Sequence, residues 1–252
     1  FVILILLPFT YQKIFSNIRA LKKEWKKLFF LGFMGCGICG AFPFMAGVTT
    51  TVANMGIIYT SSPIFIILIS AYFYRERLSL IQLLGLALCF IGVVSIIAKG
   101  DLSLLISLKF TSGDLWMLGA AIGWALYSVF LLNWKSKFSL FSRFTIIAFF
   151  GAISLLPFSL IENYFFRRVI FNEGFYFWTI FAAISPGIIA FSLYAQVQKH
   201  LGASITGFTL YLFTVYGAFY GIVLFGEMLK SYHYFGAILV FAGMFFVRKK
   251  KN

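Results

Sequence analysis

The stretch YFYRERLS (Tyr72–Ser79) sets Arg75, Glu76 and Arg77 between two long apolar runs, and LFGEMLKS (Leu224–Ser231) writes the same junction again with fewer charges. How those runs are read decides the fold. Of the 252 residues, 62% are hydrophobic and only 11% are charged, against roughly 25% charged in an ordinary soluble chain. A water-soluble body of this size has no interior large enough for so much apolar surface. The runs therefore read as membrane spans, each needing about 20 apolar residues to cross the hydrocarbon core.

Eight runs qualify: Leu28–Thr50, Val52–Tyr74, Leu80–Ala98, Leu115–Trp134, Phe144–Ile161, Gly174–Val197, Ala203–Phe225 and Ser231–Val247. A ninth, FVILILLPF (Phe1–Phe9), is too short to cross at about 1.5 Å of rise per residue. The chain also opens on Phe rather than Met. Both features predict a fragment whose true start is absent, in preference to a mature chain left by a cleaved leader. Backbone polar groups in lipid must pair internally, which allows helices or a closed barrel. The runs are far longer than the alternating segments of about ten residues that build barrels. The expected class is all-α, a polytopic membrane protein.

Sides alternate along such a bundle, and the cations do not divide evenly between them. Sixteen of the 21 Lys and Arg fall on one face, including Lys22, Lys23, Lys26, Lys27, Arg75, Arg77, Arg143 and the tail from Arg248; the other holds Lys99, Lys109, Arg167, Arg168 and Lys230. The positive-inside rule makes the first face cytoplasmic, so the C-terminus is expected in the cytoplasm and the protein in the cell (inner or plasma) membrane. The net charge of +14 is then accounted for by anionic lipid, with no nucleic-acid partner. RALKKEWKK (Arg19–Lys27) is expected as a loop or short surface helix with Trp25 at the headgroups.

The two junctions belong to a repeat. Glu227 stands 151 positions after Glu76, and the same offset joins Leu78 to Leu229, Gly85 to Gly236, Gly92 to Gly243 and Lys99 to Lys250. Paired glycines seven apart on one helix face permit close helix approach. Five spans separate the two glutamates. Five is odd, so the copies face opposite sides, as in the inverted repeats of secondary transporters. The cytoplasmic copy keeps its arginines and the outer one lacks them. Symmetry predicts ten helices, with the first absent here and the second truncated.

GDLWMLGAAIGWALYSVFLLNWK (Gly113–Lys135) resembles the opening of a second EamA repeat, and TTVANMGIIYTSSPIFIILISAYFYRERLSLIQLLGLALCFIGVV (Thr50–Val94) resembles the end of a first. The chain is thus similar to the EamA type of the drug/metabolite transporter superfamily. The resemblance implies one repeat over residues 1–100 and another over 113–248, with both termini inside. It also implies a central cavity lined by helices one, three, four, six, eight and nine. One departure is that Pro63 of the fourth helix has Thr214 as its counterpart in the ninth.

Polar groups within spans mark the candidate cavity, because lipid tolerates them only where they meet protein or water. Asn54, whose counterpart is Ile205, shares a helical face with Ser61 and Ser62. It reads either as a wall that hydrogen-bonds solute or as an interhelical bond. Tyr59, Ser62 and Pro63 accompany it at mid-span, where proline frees a carbonyl. Ser185, beside Pro186 and Gly187, interrupts the eighth helix, with Ser192 and Gln196 continuing from it. Trp124, Tyr127 and Ser128 stand at i, i+3 and i+4 on the sixth helix, either as an aromatic wall for an amphipathic ligand or as packing. Thr206 and Thr209 complete the set, although membrane threonines commonly bond their own backbone.

GCGICG (Gly35–Gly40) holds a Cys-x-x-Cys in an apolar span, which reads as small-residue packing and not as a redox or metal site. No cofactor or metal is expected. All seven acidic residues fall in loops or span ends, Glu76 and Glu227 as interfacial caps. No carboxylate stands at mid-membrane, which disfavours proton-coupled extrusion of cations. The expected function is alternating-access transport of a small polar or zwitterionic, amino-acid-like metabolite, with a homodimer compatible. A polytopic membrane enzyme or a scaffold without transport is the alternative.

Overall fold

In a computed structural model of the chain, residues 1–76, 78–101, 103, 106, 110–165, 171–225, 228 and 230–248 are described. Glu227, Arg77, Leu229 and Lys250, all named in the repeat, lie outside the described residues. Every described element is helical. Six helices are long and apolar enough to cross a membrane: Ile18–Ala46, Asn54–Tyr74, Leu80–Ile97, Ser112–Asn133, Leu140–Leu160 and Glu173–Leu201. Shorter apolar helices occupy Val2–Phe15, Ala203–Tyr216 and Ser231–Phe246. Six of the eight expected runs are matched by these long helices, while those expected over Ala203–Phe225 and Ser231–Val247 fall among the shorter ones, and two further differences stand out. The opening helix reaches Phe15, beyond Phe9. The RALKKEWKK segment is neither a loop nor a separate surface helix, because it forms the first turns of a span that begins at Ile18. Its lysines are exposed while Leu28 and Leu31 are buried, so one continuous helix satisfies both solvents.

The chain divides into two compact units. The first comprises Phe1–Ala41 and Phe130–His200. It contains α1 (Val2–Phe15), α2 (Ile18–Gly32), a π-helical segment (Phe33–Ile38) and α8 (Leu140–Phe165), then α9 (Glu173–Ala182), a second π-helical segment (Ala183–Ala190) and α10 (Phe191–Leu201). Its centre is a close crossing of α2 on α8. A Cβ added at Gly32 would stand 2.5 Å from the Ile147 carbonyl oxygen, and one at Gly151 would stand 2.4 Å from Cys36 Cβ. Glycine is required at both places, because a Cβ would meet the α8 backbone at Gly32 and the Cys36 side chain at Gly151. The Cys36 thiol packs into this crossing against Gly151. At one end, Phe30, Phe130 and Trp134 cluster with centroids 4.5 to 5.6 Å apart. The Arg143 guanidinium there donates to the Leu131 and Trp134 carbonyls, both at 2.8 Å, and so satisfies acceptors that a helix C-terminus leaves open. The carboxylate of Glu24, in the lysine-rich turn, accepts from Ser136 Oγ and the Lys137 amide.

The second unit comprises Phe42–Val129 and Leu201–Asn252. It contains most of α3 (Cys39–Ala46) and of α7 (Ser112–Asn133), together with α4 (Val52–Tyr59), α5 (Ser62–Tyr74), α6 (Leu80–Ile97), α11 (Ala203–Gly207), a 3-10 turn (Phe208–Tyr211), α12 (Leu212–Phe225) and α13 (Ser231–Arg248). Its centre is α6 against α13. A Cβ at Gly92 would lie 2.7 Å from the Gly236 carbonyl oxygen, and one at Gly243 would lie 2.5 Å from that of Gly85. The helices therefore run antiparallel, and each glycine meets the partner of the other. Between these contacts, Cys89 Sγ lies 3.4 Å from the Val240 carbonyl, and those two positions are 151 apart. Equivalent residues meet only on an axis of twofold symmetry. Cys89, Val93, Phe208, Tyr211 and Val240 form the buried core around that point.

Local chemistry fixes the ends of α6. Ser79 and Gln82 form a reciprocal capping box: Gln82 Oε1 accepts from the Ser79 amide at 2.9 Å, and Ser79 Oγ accepts from the Gln82 amide at 3.3 Å. We expect Ser79→Ala to lower stability by about 1 kcal/mol, measured by chemical denaturation in mixed micelles. At the far end, Lys99 (φ 53°) and Gly100 (φ 75°) turn left-handed, and the Gly100 amide returns to the Ser95 carbonyl at 3.0 Å. This is the usual device for closing a helix C-terminus. At the first junction the Glu76 carboxylate lies beside Gly202, the N-cap of α11: a Cβ built there would stand 3.6 Å from Oε1. An anion at that place complements the helix dipole.

Candidate functional site

The interruptions of the spans organise the site. Phe33–Ile38 shifted by the repeat offset of 151 falls at residues 184–189, inside the π-helical segment Ala183–Ala190. The gap between α4 and α5, at Thr60 and Ser61, shifts to residues 211 and 212, where the 3-10 turn ends and α12 begins. Both halves thus break regular α-helix in the same places. The cause differs between copies. Pro186 has no amide to donate, and the wider π turn re-pairs the carbonyls around it, while the GCGICG copy has no proline within its π turn. In the ninth span the break survives without proline, Thr214 standing where Pro63 would be.

Around the fourth-span break, three successive hydroxyls turn back on the helix. Thr60 Oγ1 donates to the Ile57 carbonyl at 2.6 Å, Ser61 Oγ to Ile58 at 2.5 Å and Ser62 Oγ to Tyr59 at 2.6 Å. The Tyr59 carbonyl is the acceptor that Pro63 leaves open, so Ser62 fills the gap that the proline makes. Ser62 and Pro63 are buried and Tyr59 is half-buried. In the ninth span, Thr206 Oγ1 donates to Gly202 and Thr209 Oγ1 to Thr206, each at 2.7 Å. Tyr211 is fully buried, and among the described residues its hydroxyl has no hydrogen-bond partner. Sequence reasoning passed over Tyr211, which nothing distinguishes from 12 other tyrosines.

Asn54 is not a free wall. It is 7% exposed, and its Nδ2 donates to both carboxylate oxygens of Asp114, at 3.2 and 3.3 Å. Thr50 Oγ1 donates to Asp114 Oδ1, and the Thr111 amide donates to Oδ2 at 2.7 Å. Thr51, the N-cap of α4, accepts from the Asn54 amide at 3.2 Å. Asp114 is thus a carboxylate 2% exposed in the first turn of a span, surrounded by donors suited to its ionised form. This polar cluster ties the starts of α4 and α7 together. It lies at a span end, as expected of every acidic residue, but its burial was not foreseen. TSGD (Thr111–Asp114) carries the S/T-x-x-D capping signature, which was the available signal.

On α7, Trp124, Tyr127 and Ser128 are all buried, and the rings of Trp124 and Tyr127 lie 5.5 Å apart. α7 is the most buried of the six long spans, and its polar-aromatic face is enclosed by protein. Asn54, Tyr59, Ser62, Pro63, Trp124, Tyr127, Ser128, Thr206 and Thr209 all belong to the second unit. Ser185, Ser192 and Gln196 belong to the first, and they differ in environment. Ser185 and Gln196 are exposed. Ser192 is buried, and among the described residues its hydroxyl has no hydrogen-bond partner. The π turn between Ser185 and Ser192 adds a residue to its turn, so faces counted at 3.6 residues no longer align.

Comparison with known proteins agrees with this architecture. The EamA-like transporter family matches residues 1–98 and 111–249. An uncharacterized transporter of Archaeoglobus fulgidus is 26% identical over 91% of this chain and 78% of its own length. The uncharacterized transporter YyaM of Bacillus subtilis is 26% identical over 96% and 78%, and YetK of the same organism is 24% identical over 100% and 76%. One solved crystal structure superposes with a TM-score of 0.76 over 98% of this chain and 84% of that one, at 18% identity.

Proposed function

This chain belongs to the EamA-like transporter family, and on that premise we propose that it carries a small polar or zwitterionic, amino-acid-like metabolite across the cell membrane by alternating access. It is a multi-pass membrane protein of a transporter family, and its curated relatives are named transporters. The observation that carries the finer reading is the repeated pair of helix interruptions at the 151 offset. Broken helices at matching places in two inverted halves are where secondary transporters bind cargo and flex. The repeats would cover residues 1–100 and 113–248, with the C-terminus in the cytoplasm on the strength of the cation count.

The chemistry of the lining favours the cargo class. Trp124, Tyr127 and Ser128 give an enclosed helix a face that is both aromatic and hydroxyl-bearing, chemistry that suits a solute with both polar and apolar parts. Asp114 has its donors already in place, so it offers no open anion for a cationic drug.

Purified protein in liposomes, offered a panel of labelled amino acids and nucleosides, should move at least one of them. The double variant Tyr127→Phe, Ser128→Ala should raise the concentration for half-maximal flux about thirtyfold while inserting normally, two lost hydrogen bonds at about 1 kcal/mol each. A protein inert across the whole panel, or a variant with unaltered saturation, contradicts the reading.

A further inference from the structure

A cleft of about 750 Å³ opens between the end of α6 and the start of α13, with Ile91, Val94, Lys99, Ser231, Tyr232 and Phe235 among its lining residues. Its size falls within the range of ligand sites. The walls are apolar and aromatic along their length, and charge stands only at one end. Lys99 lines that end, and the exposed Lys230 directly precedes the lining residue Ser231. The left-handed turn at Lys99 and Gly100 closes the mouth, where Gly100 is pressed on Tyr232 so tightly that a Cβ would meet it at 3.1 Å. Ile91 and Phe235 are 52% and 58% exposed, so the walls are open along their length.

We infer that this cleft is a binding site for one anionic phospholipid, its phosphate held at Lys99 and Lys230 and one acyl chain laid between α6 and α13. An apolar trough with cations at a single end matches an amphipathic anion. A small free anion would leave the trough uncovered, and a second copy of the chain docked symmetrically would bring lysine toward lysine. The site is independent of the transported solute, because none of its lining residues belongs to the polar face of α7 or to the Asp114 cluster.

The test is native mass spectrometry of the whole purified chain with phosphatidylglycerol or phosphatidylcholine of identical acyl chains. Phosphatidylglycerol should be retained over phosphatidylcholine. Lys99→Gln should weaken that preference about fivefold, and the double variant with Lys230→Gln about thirtyfold. Lys99→Arg should restore it. Val94→Trp, which fills the trough and leaves the lysines alone, should lower retention of both lipids, and added glycerol phosphate should not compete. Melting curves in phosphatidylcholine micelles identify any variant that fails to fold, and the Lys99→Arg arm then carries the comparison. Equal retention of the two lipids, or a preference indifferent to the lysines, overturns the proposal. So does competition by glycerol phosphate, which would mean a headgroup-only site, or a dimer that strengthens when the lysines are neutralised.

Discussion

Replacing Gly236 with leucine is expected to destabilise the protein by about 3 kcal/mol or more, enough that little folded material survives extraction into detergent. A Cβ at this position alone would stand 2.3 Å from Ile96 Cγ1 and 2.6 Å from the Gly92 carbonyl oxygen. The second of these neighbours is backbone, which cannot rotate away. In lipid the helices gain little from hydrophobic exclusion, so close packing itself holds them together. Leucine would force α6 and α13 apart along their whole contact and strip the core at Cys89, Val93 and Val240. Alanine should show a smaller loss of the same sign. Ile238→Ala, at a side chain 66% exposed two positions along, should change stability little. Gly243 is held in the same way against Gly85, so Gly243→Leu should match Gly236→Leu. Comparable losses at both positions would reflect the symmetry of the contact as well as its tightness.

Removing the buried carboxylate should be nearly as damaging. Asp114→Ala leaves the Thr50 hydroxyl, the Asn54 amide and the Thr111 amide without their acceptor. Hydrogen bonds to a charged group contribute about 1.5–3 kcal/mol each, and abandoned buried donors lose the cost of desolvation as well. We expect a loss of about 3 kcal/mol in stability and at least a tenfold loss of flux. Asp114→Asn should do little better, since its own amide hydrogens would face the donors of Asn54. The cluster is one network, so the effects should not add. In a double-mutant cycle, Asn54→Ala should be costly in the wild-type background and nearly silent once Asp114 is alanine, with a coupling energy of about 1–2 kcal/mol. Additive losses would show that the two residues act separately.

These two results bear on parts of the protein that were unequally visible in the sequence. Hydropathy located the spans, because lipid imposes a length and an apolar character on each. The repeat was legible from Glu76, Gly85 and Gly92 and their counterparts, since close helix approach leaves only glycine as a solution. What the glycines touch was not legible. The pairing of Gly92 with Gly236 follows from three-dimensional inversion, and no local pattern records it. Asp114 was hidden for a related reason. Two of its donors come from 60 and 64 positions away, and the local TSGD signature announces the Thr111 cap but not those partners. The π turns are not legible because a count of 3.6 residues per turn has no way to register an inserted residue, so Ser192 does not continue from Ser185 as the spacing suggests. The helical start at Ile18 was obscured by its lysines, which suppress hydropathy without disturbing the helix.

The central claim is that α6 and α13 are equivalent elements threaded in opposite senses. Leu80 and Ser231, the first residues of these helices, are exposed and stand 151 positions apart. In a chain with Cys36, Cys39 and Cys89 replaced, a single cysteine at either position can be challenged with a membrane-impermeant maleimide in right-side-out and in inverted vesicles. Leu80→Cys should react from one aqueous compartment and Ser231→Cys from the other. Labelling of both from the same compartment would contradict the central claim.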